Sequence, residues 1–143
     1  MNTFTDGNVR FTYNDSGFTR CDIEYEGKTF SGETHCLPCD EIFWSERVGC
    51  YIAECKAHIK LLKYKRRQIK NQLEVLMSLE RGMQSFNNYN PKSYEARYLH
   101  GQIRMFKEQL AVANTDIALE EQNLFSYIQN KEIMYKKYRK GQN

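Results

Sequence analysis

Two spaced pairs of cysteine and histidine are the residues best suited to chemistry. Cys36 and Cys39 form a C-x-x-C, and Cys55 and His58 a C-x-x-H. On a helix, residues three apart lie on one face, so Cys55 and His58 can aim at one point. Fifteen residues separate the pairs, which is zinc-ribbon-like spacing. Zinc takes four thiolate or imidazole ligands tetrahedrally and would staple a small head to a long helix. His35, Cys50 and Cys21 are spare donors. Against this, Cys55 falls on an apolar helix seam, where a free cysteine is an ordinary small core residue. Cys-Leu-Pro-Cys also lacks the glycine typical of a zinc knuckle. The expectation is therefore no obligatory cofactor, with zinc on Cys36, Cys39, Cys55 and His58 as the metal alternative. Redox chemistry fits less well, because the C-x-x-C does not open a helix inside a βαβ unit.

Catalysis has little to stand on. His35 and His100 show no obvious acid or nucleophile companion. Asp40, Glu41, Glu120 and Glu121 show no paired-carboxylate logic. No glycine loop suited to phosphate is present. The chain is expected not to be an enzyme.

Binding chemistry is better represented. Lys56, Lys60, Lys63, Arg67 and Lys70 repeat at four-three-four-three spacing, one position beyond the apolar seam. They line one flank of a helix, with Lys65 and Arg66 beside them. Phosphates or an acidic protein groove would be drawn to such a flank, although a charged flank also serves solubility. A second basic run is Lys136-Lys137-Tyr138-Arg139-Lys140. Around a central turn, Phe86, Tyr89, Tyr94 and Tyr98 mix with Arg81, Lys92, Arg97 and Arg104, a composition typical of binding hot spots. It would serve equally as packing that closes the turn. The residues expected to meet a partner or nucleic acid are Lys56, Lys60, Lys63, Arg67, Lys70, Tyr89, Lys92 and Arg97.

The elements that carry these residues follow from local pattern. Residues 1–8 read as frayed. Val9 to Tyr13, Phe18 to Tyr25 and Lys28 to Thr34 read as strands, joined by Asn14-Asp15-Ser16-Gly17 and by the two-residue turn Glu26-Gly27. That second turn sets Ile23 opposite Phe30, Glu24 opposite Thr29 and Arg20 opposite Glu33. A meander this small needs a helix across one face. His35 to Glu41 is a linker broken by Pro38. Phe43 and Trp44 are expected to pack the β module onto a helix N-capped by Ser45.

That helix runs to about Phe86. Its seam is Ile52, Cys55, Ile59, Leu62, Arg66, Ile69, Leu73, Leu76, Glu80 and Met83, stepping three and four as in a coiled coil. A turn, Asn87-Asn88-Tyr89-Asn90-Pro91, ends it. A second helix from Lys92 or Ser93 to Tyr138 carries the seam Leu99, Ile103, Phe106, Leu110, Ala113, Ile117, Glu120, Leu124, Tyr127, Lys131 and Met134. So short a turn makes the two helices antiparallel. The expected fold is α+β: a small three-stranded antiparallel β meander packed at the base of a long antiparallel two-helix coiled-coil hairpin. Residues 1–44 form the β module and linker, and residues 45–143 the hairpin with its turn at 87–91. Arg66, Glu80, Glu120 and Lys131 interrupt the seams, and Leu79 and Met77, flanking the break at Glu80, are placed to fill it.

Composition sets the bounds. The chain has 143 residues and a net charge of +3. Residues 1–46 carry −6 and residues 47–143 carry +9. This split suits an acidic partner for the helices or a contact between head and stalk. A two-helix hairpin buries little surface per residue, so a homodimer or another partner would cover the remainder. No membrane span or signal peptide is visible, and five cysteines is an odd number. Together these suggest reduced thiols in a cytoplasm.

Three stretches carry a resemblance. They are Thr19-Arg20-Cys21-Asp22-Ile23-Glu24-Tyr25-Glu26-Gly27-Lys28-Thr29-Phe30-Ser31-Gly32-Glu33, Ser45-Glu46-Arg47-Val48-Gly49-Cys50-Tyr51-Ile52-Ala53-Glu54-Cys55, and Asn90-Pro91-Lys92-Ser93-Tyr94-Glu95-Ala96. The chain resembles small uncharacterised proteins encoded by phages and prophages of Gram-positive bacteria. The resemblance implies a context: small phage proteins with helical hairpins often inhibit a host defence system, anti-CRISPR proteins among them. The expected function is a non-enzymatic, phage-encoded binding protein acting in the host bacterial cytoplasm. It would inhibit a host defence protein by protein–protein contact through the helical hairpin. A basic, zinc-stapled nucleic-acid-binding module and a self-assembling structural helical protein are the alternatives.

Overall fold

The computed structural model describes residues 2–35 and 46–141, the side chains of residues 46 and 133–141 excepted. Four strands come first: β1 Asn2–Asp6, β2 Val9–Tyr13, β3 Phe18–Tyr25 and β4 Lys28–His35. They form one antiparallel sheet in the order β1-β2-β3-β4. Two helices follow, α1 Glu46–Gln84 and α2 Tyr94–Gly141. The fold is α+β. Among the described residues, no helix is long and apolar enough to cross a membrane. Phe43, Trp44 and Ser45, expected to join sheet and helix, lie outside the described residues, as do the side chains of Met134 and the basic tail.

The sheet has one strand more than the expected three. The segment expected to be frayed is β1, paired with β2 from Asn2↔Tyr13 to Asp6↔Val9. Its signal is weak because all five residues are exposed, so no buried face alternates along it. What makes it a strand is the two-residue turn Gly7-Asn8. Gly7 takes φ 60°, the positive value that the first position of such a hairpin turn needs. Phe4 then stacks on Phe11, centroids 6.3 Å apart. The second tight turn uses Glu26 at φ 51° and Gly27 at φ 74°. It sets the expected pairs Ile23↔Phe30, Glu24↔Thr29 and Arg20↔Glu33.

The chain divides into two compact units, Met1–Leu61 with Ala118–Asn143, and Leu62–Ile117. In the first, the sheet unit, Phe11, Cys21 and Ile23 pack with Ala53, Ala57 and Leu61 of α1. Those helix residues recur every four positions, a second buried face beside the expected seam. Two of its residues, Ala53 and Ala57, are small for a reason. A Cβ on Gly32 would overlap the Ala53 carbonyl oxygen and lie 2.7 Å from both Ala57 N and Lys56 Cβ. Helix backbone therefore rests almost directly on β4, which only glycine under alanine permits.

The second, the turn unit, consists of two antiparallel helical segments and their connection. Its core is Leu73, Leu99 and Ile103, with Leu76, Met77, Met83, Phe106 and Leu110 packed around it. The connection is held by local polar groups. Asn90 Oδ1 accepts from Lys92 N at 2.9 Å, and Ser93 Oγ accepts from Ala96 N at 3.2 Å. Ser93 is thus the N-cap of α2.

Candidate binding surfaces

Each residue that interrupts a seam has a partner inside its own unit. In the turn unit Arg66 Nη1 donates to Asn114 Oδ1 at 3.3 Å. His100 Nε2 lies 3.1 Å from Glu80 Oε2 and 3.5 Å from Tyr89 Oη. His100, expected to show no obvious acid or nucleophile companion, therefore has an acid and a hydroxyl beside it. Glu80 precedes His100 by twenty residues and meets it only because the helices run antiparallel. The cluster clasps the turn: one residue from each helix, and Tyr89 from the connection. In the sheet unit His58 Nδ1 lies 3.5 Å from Glu120 Oε1. There Lys131 Nζ sits 5.3 Å from the centre of the Tyr127 ring, and Tyr127 packs on Tyr51 at 4.3 Å.

Of the candidate zinc set, Cys36 and Cys39 lie outside the described residues. Cys55 is half-buried. Burial pushes its thiol pKa up, and a hydrogen bond with Tyr51 opposes the rise. Among the described residues, no group of three or more His, Cys, Asp or Glu side chains is arranged to hold a metal ion. Cys21, fully buried in the sheet core, has its pKa pushed up to about 12, first by burial and then by the charges of Glu54 and Asp22. Such a thiol is inert as a nucleophile.

The expected basic flank does two different things. Lys56 Nζ donates to the Glu33 carbonyl at 3.0 Å and Lys60 Nζ to the Ser31 carbonyl at 2.6 Å. The Tyr25↔Lys28 pair closes a two-residue turn, so its backbone groups bond across the strands. By alternation, the carbonyls of Ser31 and Glu33 point out of the sheet edge. Two of the five expected lysine and arginine residues therefore seal β4. Arg67 and Lys70, in the turn unit, are exposed.

The sheet face away from α1 is polar. Asp22 Oδ1 accepts from Ser31 Oγ at 2.5 Å and from Arg20 Nε at 2.9 Å. Arg20 also donates to Glu33 Oε1 at 3.0 Å and to Ser31 Oγ at 3.2 Å. Burial alone would raise the Asp22 pKa. The hydrogen bonds from Ser31 and Arg20, with the charges of Arg20 and Arg10, overcome it and hold the pKa below the ordinary value. Every Arg20 nitrogen is engaged, which makes this network a brace for β3 and β4. Only its Arg20–Glu33 arm was foreseen.

The turn unit carries two open surfaces. Val75, Leu79 and Phe86 of α1 and its continuation are 61%, 55% and 67% exposed. With Gly82 and Met83 they line an open apolar groove rimmed by Asn71, Glu74 and Ser78. On α2, Tyr94 and Tyr98 are 77% and 60% exposed, and their rings stack at 6.4 Å. Arg97, His100, Gly101 and Arg104 complete a shallow hollow with them. Of the residues expected there, Arg97 and Lys92 are exposed, and Tyr89 is half-buried in the His100 clasp. Val75 was missed as a surface residue, and of the two residues expected to fill the seam at Glu80, Met77 packs on the core while Leu79 stays exposed. The one-turn spacing of Val75 and Leu79, just off the seam, was the available signal.

No protein family, curated protein or solved structure matches this chain.

Proposed function

We propose that this is a non-enzymatic binding protein whose working surface is the turn unit. The observation that carries this reading is that one unit exposes both an apolar stripe, Val75, Leu79 and Phe86, and an aromatic–arginine patch, Tyr94, Arg97 and Tyr98. Large apolar side chains in a row on water are costly unless a partner covers them. Tyrosine and arginine are the residues that dominate binding energy at such contacts. The partner is a protein with an apolar ridge and acidic neighbours, since Lys92, Arg97 and Arg104 supply positive charge. We read the helical part as a coiled-coil hairpin, supported by the three–four seam spacing. In the phage setting that the resemblance implies, the target is a host defence protein in the bacterial cytoplasm, and binding inhibits it.

The test is phage survival in a defence-positive host expressing this chain, paired with capture of the defence protein. Wild type is expected to protect phage and to retain the target. Leu79→Glu and Arg97→Glu are each expected to lose both effects with unchanged far-UV circular dichroism. Full protection by both variants would overturn the reading.

A nucleic-acid reading has its own observation. Stacked, exposed tyrosines flanked by arginine suit the bases and phosphates of a single strand. It predicts affinity for single-stranded DNA or RNA that falls steeply with salt and is lost in Tyr94→Ala/Tyr98→Ala. Equal retention of nucleic acid by that double variant would remove it.

A further inference from the structure

The two edges of the sheet are treated differently. At β4, Lys60 and Lys56 cover the outward carbonyls of Ser31 and Glu33. At β1, all five residues are exposed. Among the described residues, no lysine, proline or bulge guards β1. An unguarded edge is a template for another strand.

The sequence of β1 says which strand. The pair Asp6↔Val9 flanks the two-residue turn Gly7-Asn8, so Asp6, Phe4 and Asn2 turn their backbone groups toward β2. The bond from Glu24 N to the Asn8 carbonyl, 3.0 Å, fixes the same alternation one strand further in. Thr3 and Thr5 therefore present N–H and C=O outward. Asn2-Thr3-Phe4-Thr5-Asp6 is also nearly palindromic about Phe4. Laid antiparallel on a second copy of itself, it sets Phe4 on Phe4, Thr3 on Thr5, and Asn2 on Asp6. The Thr3–Thr5 pairs are the hydrogen-bonded ones. Phe4 falls at a non-hydrogen-bonded pair, where side chains approach most closely. Each cross-strand pair is favourable: aromatic on aromatic, threonine on threonine, amide on carboxylate.

Phe4 lies on the face that α1 covers further along the sheet, yet it is 58% exposed. Helix α1 sits over Gly32 of β4, at the opposite edge, and so leaves the β1 side clear. A second copy would continue the stack of Phe4 on Phe11 into a row of four phenylalanines. We propose that the chain forms a homodimer through β1, its two sheets joining into one across a two-fold axis at Phe4. Because lysines seal both β4 edges, the assembly closes at two copies and does not extend into a filament.

Sedimentation equilibrium on the full chain tests this. Wild type is expected to shift from monomer to dimer mass with rising concentration, without larger species. Thr5→Pro removes an outward N–H while leaving the β1–β2 bonds intact, a position where an edge strand accepts proline. It should weaken dimerisation by roughly tenfold or more, through loss of one hydrogen bond from each copy. Phe4→Lys and Phe4→Glu should each be monomeric, since like charges would meet at the axis. Mixing the two should restore a dimer. Unchanged circular dichroism in each variant separates lost pairing from lost folding. A monomer at every concentration up to about millimolar, a value typical of weak contacts, would overturn the proposal. So would a dimer indifferent to Thr5→Pro, or Lys and Glu variants that fail to combine.

Discussion

The sheet unit and the turn unit bury their helices by opposite means. In the sheet unit backbone meets backbone: Gly32 lies under Ala53 and Ala57 with no room for a Cβ. In the turn unit side chain meets side chain, through Leu73, Leu99 and Ile103. There a Cβ added at Gly82 or Gly101 would meet nothing within 4 Å. The first arrangement is set by atoms that must be absent, so it has no slack. The second adjusts by rotamer, but two helices cover only one stripe each. Val75, Leu79 and Phe86 consequently stay on the surface. Close backbone packing gathers where α1 crosses the sheet, and the apolar stripe is left where only two helices meet.

Gly32→Ala should break the contrast most sharply. The new methyl collides with the Ala53 carbonyl, a backbone atom that cannot rotate aside, and urea unfolding should show a loss of about 3 kcal/mol or more. Next is Leu99→Ala in the turn-unit core, with an expected loss of about 2–3 kcal/mol, near the low end for leucine because a two-helix seam can partly collapse. A cost at Leu99 exceeding that at Gly32 would invert the comparison.

Asp22→Asn should cost about 1–2 kcal/mol at neutral pH by weakening charged hydrogen bonds to Ser31 and Arg20. Its pH signature is more telling. The folded pKa of Asp22 lies below its unfolded value, so the carboxylate adds stability above the ordinary carboxylate pKa of about 3.9. That contribution falls away as pH drops through the lower, folded value. Denaturation across this acid range should be flatter in the variant, and an unchanged slope would remove Asp22 from the account.

Gly82→Ala, in helix and in open space, should stabilise by about 0.5–1 kcal/mol, the sign opposite to Gly32. Leu79→Ser should change stability by no more than about 0.5 kcal/mol, since the side chain is largely exposed. Any larger stability loss would mean that the stripe packs within the chain and is not free for a partner.

Much of the frame was legible along the chain. Every described seam position, from Ile52 to Met83 and from Leu99 to Lys131, is buried or half-buried, because three–four spacing is a property of the helix itself. The Glu26-Gly27 turn likewise dictated the pairs of β3 and β4. The edge strand β1 was harder to see, since an exposed strand has no buried face to alternate.

Local periodicity, turn chemistry and charge order were thus determined by the sequence alone, for they depend on near neighbours and backbone geometry. Tertiary structure decided what those residues do. It turned Lys56 onto the Glu33 carbonyl and Lys60 onto the Ser31 carbonyl, gave Glu80 to His100 and Glu120 to His58, and made Gly32 irreplaceable. Each of these depends on atoms distant along the chain and close in space. No spacing rule reaches that far, because the chain between them sets the distance only once it has folded.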